Sequence, residues 1–325
     1  MPINIEKLNT LIENEINKLS LGDEPKQLYD PLYYILSLGG KRIRPLLTLL
    51  SHSLYKENPK KIIKPALAIE VFHNFTLMHD DIMDEAPLRR GEATVHEKWN
   101  TNVAILSGDV MMIKTYDLLL GLKKNQFKEV ISLFNECARL VCEGQQMDMD
   151  FETQDEVSEA AYLEMIRMKT AVLLGFSLHL GAYLAEASKA DCVALKKFGI
   201  GIGIGFQLKD DLLDVYGDQN QVGKQVGGDI ISNKKTYLLI KALELANKKQ
   251  KKELNDWLSK KKFDAKKKVE VVKSIYDEIG VRQLAEAEMN NHFNNAFASL
   301  QQISAPKPKV AVLKRFSENL INRNK

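Results

Sequence analysis

A chain of 325 residues with 45% hydrophobic content can bury a large core, and its length alone permits one big domain or two ordinary ones. The formal net charge of +3 is small for this size, so the overall balance calls for neither nucleic acid nor an anionic membrane surface. Three cysteines, Cys137, Cys142 and Cys192, form no CxxC pair and are odd in number, which suits a reducing cytoplasm better than a disulfide framework.

The first residues mix Glu6, Lys7, Glu13 and Glu15 with apolar side chains and lack the uninterrupted apolar stretch of a secretory signal. All nine prolines lie at or before Pro87 or at Pro306 and Pro308, leaving more than two hundred consecutive residues without one. At a background of about 5%, roughly ten would be expected there. Proline breaks helix interiors, so the gap predicts long helices joined by short polar turns. Strand signals are poor, and apolar residues recur three and four apart in stretches such as Ala66 to Met78. The fold class expected is all-α. No Gly/Ser/Pro-rich linker and no repeat of fixed period divide the chain, so residues 1–325 are expected to form a single domain.

Along the chain, the first segment that suggests chemistry is Gly39-Gly40-Lys41-Arg42-Ile43-Arg44-Pro45. Two glycines let the backbone approach an anion, and Lys41 and Arg44 can bind phosphate oxygens. The apolar run from Val71 to Met78 then leads into Asp80-Asp81-Ile82-Met83-Asp84, followed by a second basic segment, Leu88-Arg89-Arg90-Gly91. Ala171 to Ala185 is the longest apolar stretch; it contains Ser177 and His179 and falls short of the roughly 20 residues that span a bilayer, so it predicts a buried helix and no stable membrane span. Gly201-Ile202-Gly203-Ile204-Gly205 follows no predicted strand and reads as close helix packing, not a nucleotide loop. The run Phe198 to Leu208 leads into the second cluster, Asp210-Asp211-Leu212-Leu213-Asp214. Lysines crowd residues 248–268 without interleaved stacking aromatics, which predicts a solvated helix-turn-helix surface.

Residues four apart share a helix face, so Asp80 and Asp84 point together while Asp81 flanks them, and Asp210, Asp214 and Asp211 do the same. Three carboxylates on one turn repel one another unless cations compensate. Hard divalent cations do so, and Mg²⁺ characteristically takes one or two carboxylates per ion plus water and phosphate oxygens. Two such clusters with basic segments beside the first point to magnesium and a diphosphate. His79, next to Asp80, does not shift this toward zinc, because its neighbours are hard oxygen ligands.

These segments closely resemble the trans-isoprenyl diphosphate synthases, the polyprenyl synthetase family that includes farnesyl and geranylgeranyl diphosphate synthases. The likeness rests on GGKRIRP, His73 through DDIMD to Arg89-Arg90-Gly91, Met168-Lys169-Thr170, Phe206-Gln207-Leu208-Lys209-DDLLD, Gly223-Lys224 and Asn233-Lys234-Lys235-Thr236, in the family's order over residues 39 to 236. The resemblance implies an all-α bundle around a central cavity, usually in a homodimer, with three Mg²⁺ ions bridging the two aspartate motifs through an allylic diphosphate. It implies Asp80, Asp84 and Asp210 as direct metal ligands, and Asp81, Asp211 and Asp214 as direct or water-mediated ones. Arg89, Lys169, Gln207, Lys224 and Lys234 would surround the allylic diphosphate; Lys41, Arg44, His73 and Arg90 would hold isopentenyl diphosphate. Thr170 would help stabilise the carbocation.

Product length is expected to depend on the helix before Asp80. Phe75 lies five residues upstream, about 7.5 Å along a helix axis, and Phe72 lies about one turn deeper. In the family an aromatic at the Phe75 position limits elongation and a second at the next position shortens products further; here that position is Thr76. The first motif also lacks the two-residue insertion of many bacterial farnesyl synthases. Both features favour C20, with C15 next. A terpene cyclase resembles the chain less, since it usually replaces the second DDxxD and lacks GGKRIRP. A di-iron carboxylate bundle would need two ExxH motifs, and only Glu70 with His73 supplies one. A regulatory subunit of a heteromeric synthase would tend to lose part of an aspartate motif.

Overall fold

The computed structural model describes residues 3–217 and 227–322. It is almost entirely helical, as the missing prolines predict. The proline-free span contains the longest helices, α7 (Lys124–Thr153) and α10 (Lys189–Tyr216). Among the described residues the one sheet is a two-stranded hairpin, Leu88–Arg89 paired antiparallel with Glu92–Ala93. The Arg90-Gly91 turn between them has positive φ at both residues, 57° and 85°. That is the handedness a two-residue hairpin needs, and Arg90 takes it despite its side chain. Sequence reading treats this segment only as a basic patch.

Close contacts group the described residues into two units, one from 1–137, 176–196 and 303–313, the other from 138–175, 197–302 and 314–325. In the first unit α4 (Ile63–Met83) is the central element. It packs on α3 (Ile43–Tyr55) and, along much of its length, on α6 (Thr101–Leu119). Ala66, Val71 and Phe72 are wholly enclosed, so α4 is apolar on most sides for most of its length. Its last turn carries Asp80 and Asp81.

The core of the second unit joins Tyr162 of α8 (Glu159–Ile166), Leu208 and Leu212 of α10, and Leu238 of a helix at Tyr237–Leu245 (α12), after the short α11 (Gly228–Ile231). Gly201, Gly203 and Gly205 sit where a Cβ would lie 2.8 Å or less from Ala296, Ala171 and the Phe293 ring. The glycine run is therefore a packing device, as its sequence context predicts. The apolar stretch 171–185 forms α9 (Val172–Leu184), and among the described residues no helix is long and apolar enough to cross a membrane.

The lysine-rich stretch forms α13 (Lys248–Ser259) and the start of α14 (Ala265–Ile279), followed by α15 (Val281–Gln301) and α16 (Lys307–Asn322). Asn247 and Gln250 close α13 with a reciprocal capping box. The expectation of a solvated surface holds for its lysines with one exception. Lys268 is 0% exposed.

Candidate active site

Both aspartate clusters lie at helix C-termini. Asp80 and Asp81 close α4, and Asp84 is its C-cap. Asp210, Asp211 and Asp214 occupy the last two turns of α10. The helix macrodipole places partial negative charge at this end, so carboxylates here favour compensation by cations. After Asp84 the chain turns through Glu85 at φ 48°, with Ala86 N donating to Asp81 O at 2.9 Å and Glu85 N to Ile82 O at 3.2 Å. This is a Schellman closure in which glutamate occupies the left-handed position usually given to glycine.

The middle aspartate of each cluster is buried and committed to protein donors. Arg89 Nε lies 2.7 and 2.8 Å from the two Asp81 oxygens, and its Nη2 is 2.7 Å from Oδ1. Burial pushes the Asp81 carboxyl up, against the pull of Arg89. Arg89 also reaches Asp80 Oδ2 at 3.5 Å. The hairpin that presents Arg89 is pinned by Tyr34 Oη donating to Ala93 O at 2.7 Å and Thr94 Oγ1 to Ala86 O at 2.8 Å. In the second unit, Tyr162 donates its hydroxyl to Asp211 Oδ2, and Gln207 Nε2 lies 3.3 Å from Oδ1. Burial raises the Asp211 carboxyl to about 7. By contrast, Asp84 and Asp210 are exposed and Asp80 is partly so. Asp214 accepts from Asp229 N at 3.0 Å.

Basic side chains gather near the first cluster. Arg44 Nη1 lies 3.0 Å from His73 Nε2. Arginine can only donate, so this nitrogen accepts and the ring proton sits on Nδ1. Burial first, then Arg44 and Arg90, hold His73 well below its usual pKa, so it is neutral. Burial also lowers Arg44 to about 10, and its buried Nε has no hydrogen-bond partner. Arg90 donates through Nη1 to Gly39 O, and a Cβ on Gly40, whose φ is 134°, would lie 2.9 Å from Arg90 Nη2. The paired glycines thus admit an arginine side chain as well as offering backbone to an anion. Lys41 is exposed.

Arg42, in the same segment, does something else. It is buried, with Nη1 2.8 Å from Glu70, Nε 3.1 Å from Glu13 and Nη2 2.6 Å from Leu36 O. Glu70 is thereby committed to an arginine, which removes the ExxH reading. His79 lies 3.2 Å from Ile105 O.

Upstream on α4, Phe72 packs 5.7 Å from Phe75 and 5.1 Å from Phe134, ring centre to ring centre. Phe72 is fully enclosed, whereas Phe75 is partly exposed and lies 4.7 Å from the His79 ring. Thr76 spends its hydroxyl on His73 O at 2.8 Å.

In the second unit Lys169 and Thr170 lie in a π-helical turn, Arg167–Ala171, between α8 and α9. Lys169 Nζ is 2.7 Å from Asp148 Oδ2. A Cβ on Gly144 would lie 2.3 Å from Lys169 N, so α7 comes close to the widened turn only because residue 144 has no side chain. Asp148 and the turn escape sequence reading, and only the glycine so near Asp148 hints at them. Lys234 follows Asn233, whose φ is 60°. Burial draws the Lys234 ammonium down in pKa, but Asp148 and Asp229 outweigh it and raise it. Lys224 lies outside the described residues.

In each unit carboxylates that call for cations stand near cations suited to anions, the combination expected of a helical enzyme for metal-complexed diphosphates. A polyprenyl synthetase family model matches residues 25–279. A geranylgeranyl pyrophosphate synthase of Geoglobus acetivorans is 44% identical over 237 residues, 72% of this chain and 74% of the relative. A geranylgeranyl diphosphate synthase of Sulfolobus acidocaldarius is 37% identical over 330 residues, covering 99% and 97%. A crystal structure of geranylgeranyl pyrophosphate synthase superposes with a TM-score of 0.94 at 41% identity, covering 99% of this chain and all of that one (100%). The chain belongs to the polyprenyl synthetase family and is a trans-prenyltransferase.

Proposed function

We propose that the chain condenses isopentenyl diphosphate with allylic diphosphates to make geranylgeranyl diphosphate, C20, with C15 farnesyl diphosphate as the next shorter product. The observation that carries this reading is the shared pattern of the two clusters: outer aspartates accessible at a helix C-terminus, the middle one buried and held. Asp80, Asp84, Asp210 and Asp214 then serve magnesium, three ions in all, while Asp81 and Asp211 brace the helix ends. Among the described residues no group of three or more His, Cys, Asp or Glu side chains could hold a metal ion alone.

When bound, magnesium would supply positive charge to neutralise the departing diphosphate. Arg89, Lys169, Gln207, Lys224 and Lys234 bind that diphosphate and stabilise charge as its bond to the allylic carbon breaks. Thr170 faces the resulting cation. Lys41, Arg44, Arg90 and neutral His73 hold isopentenyl diphosphate, whose double bond attacks to form the new carbon–carbon bond. The proton released goes to the departing pyrophosphate, so no side-chain nucleophile is needed. Phe75, with Thr76 beside it and Phe72 beneath, sets the floor for the growing tail, and the names of relatives at 37–44% identity favour C20.

We place the enzyme in the cytoplasm, where its three free cysteines stay reduced. We also propose a homodimer. Leu106, Ile113 and Leu120 recur seven apart along α6 and its end and are 58%, 59% and 63% exposed, an apolar stripe that a second copy would cover. The deciding experiment supplies isopentenyl diphosphate with C5, C10 and C15 allylic diphosphates in turn and measures product masses. Geranylgeranyl diphosphate is expected. Hydrocarbon released from farnesyl diphosphate alone would instead favour a cyclase.

A further inference from the structure

Lys268 is the one lysine among the described residues that is fully buried, 0% exposed in the first turn of α14. Its Nζ lies 3.1 Å from Ile231 O, 2.5 Å from Asn233 Oδ1 and 4.3 Å from the centre of the Phe263 ring. Burial lowers its pKa. Placing an ammonium in such a position costs several kcal/mol before its hydrogen bonds are counted, and an apolar side chain of similar volume is often as stable or more so. Packing alone therefore does not account for a lysine here.

Its acceptors suggest what does. Both belong to the turn that ends at Lys234. Asn233 holds a left-handed backbone at φ 60°, and its amide is fixed at both ends: Oδ1 by Lys268, and Nδ2 by donation to Leu258 O at 3.0 Å. Lys234 N donates to Asp229 O at 2.9 Å, and Asp229 N in turn donates to Asp214 Oδ2 at 3.0 Å. A continuous set of hydrogen bonds and peptide links thus runs from Lys268 through Asn233, Lys234 and Asp229 to Asp214. The lysine and the aspartate both face the chemistry proposed above, and Lys268 faces none of it.

We infer that Lys268 is a positioning residue: it fixes the 229–234 turn so that Lys234 is set for the allylic diphosphate. The inference rests on the proposed function. Lys268→Met keeps the length and apolar stem of the side chain and removes its charge and donors. With the turn no longer fixed, the KM for the allylic diphosphate is expected to rise roughly tenfold. The KM for isopentenyl diphosphate is expected to stay within about twofold, because no link in the set leads to its ligands. In a Lys234→Met background the same change should add less than about twofold, since the group it positions is gone.

Unchanged KM values in folded Lys268→Met, or effects of the two substitutions that multiply, would overturn the inference. If Lys268→Met does not fold, Asn233→Gly retains the left-handed backbone and removes only the side-chain bridge; it should reproduce the KM rise, and an unchanged KM would count against the inference equally. Lys234→Met separates the two claims. If it leaves the allylic KM unchanged, Lys234 is no diphosphate ligand and both claims fall; if it raises KM while Lys268→Met does not, only the positioning role falls.

Discussion

Tyr162 donates its hydroxyl to Asp211 while Gln207, one turn earlier on α10, reaches the other carboxylate oxygen at 3.3 Å. Asp81 is held in the same manner by Arg89, from a hairpin instead of a helix. Different scaffolds therefore give the same division within each cluster, with the middle carboxylate buried and its neighbours Asp84 and Asp210 exposed.

That division predicts two kinds of mutant. Asp80→Ala and Asp210→Ala are expected to cut turnover by about 10³-fold or more, since charge neutralisation at the leaving group is usually the largest catalytic contribution, with little change in thermal stability. Near-normal rates at saturating Mg²⁺ would contradict this.

Asp81→Ala and Tyr162→Phe should show themselves in stability. Removing Asp81 strips Arg89 of its main partner; Arg89 keeps some access to water, so about 2 kcal/mol is expected. Tyr162→Phe leaves the buried Asp211 one donor short, at about 1–2 kcal/mol. Denaturant unfolding of both variants measures these losses, and a wild-type midpoint would show that the middle carboxylates are not structural.

Phe75→Ala should lengthen the product by one or more isoprene units while leaving the fold intact. Phe72→Ala should chiefly destabilise, by about 3–5 kcal/mol, because its ring is enclosed against Phe134 and its loss leaves a cavity. Product mass spectrometry beside thermal melts distinguishes the two; an unchanged chain length in Phe75→Ala would move the floor elsewhere.

Chelation of divalent cations should abolish turnover yet move the unfolding midpoint by no more than about a degree, since magnesium takes much of its shell from water and substrate phosphate and couples weakly to folding without them. Magnesium with inorganic pyrophosphate should stabilise more than either alone. Equal stabilisation by magnesium alone would indicate a preformed protein site.

Acid stability should reflect His52 and His179. Burial is the main cause that lowers each to about 4, with nearby lysines adding to it. Their folded values lie below the unfolded value of 6.5, so this contribution is complete above pH 6.5 and is lost as pH falls toward 4. At pH 4.5 the loss is about 2–3 kcal/mol for one such group. His52→Leu should flatten that limb of a melting-temperature profile between pH 6.5 and 4.5; an unaltered slope would show that His52 does not contribute.

Much of this was legible in the sequence. Proline-free length predicts the long helices, and the apolar runs leading into Asp80 and Asp210 predict motifs at helix ends. What escaped depends on contacts distant in sequence. Asp81 flanks Asp80 and Asp84 on the helix, but that it is buried and held by Arg89 shows only in the fold. Arg42 has no role legible in the sequence, because its partners Glu13 and Glu70 are 29 and 28 residues away. Lys268 is hidden among lysines that are solvated as expected, because a helical period cannot reveal that the 230–236 turn lies over one of them.

The π-helical turn at Arg167–Ala171 has a genetic consequence. It holds one residue more than an α-helical path of the same span, and that surplus sets the direction of Lys169 and Thr170. Loss of a single codon within it would leave an unbroken, well-formed α-helix in which α9 keeps its register while the side chains of the turn itself are turned by about a quarter of a circle. At this place a small in-frame deletion should do more harm than most replacements, and the protein carrying it should still fold.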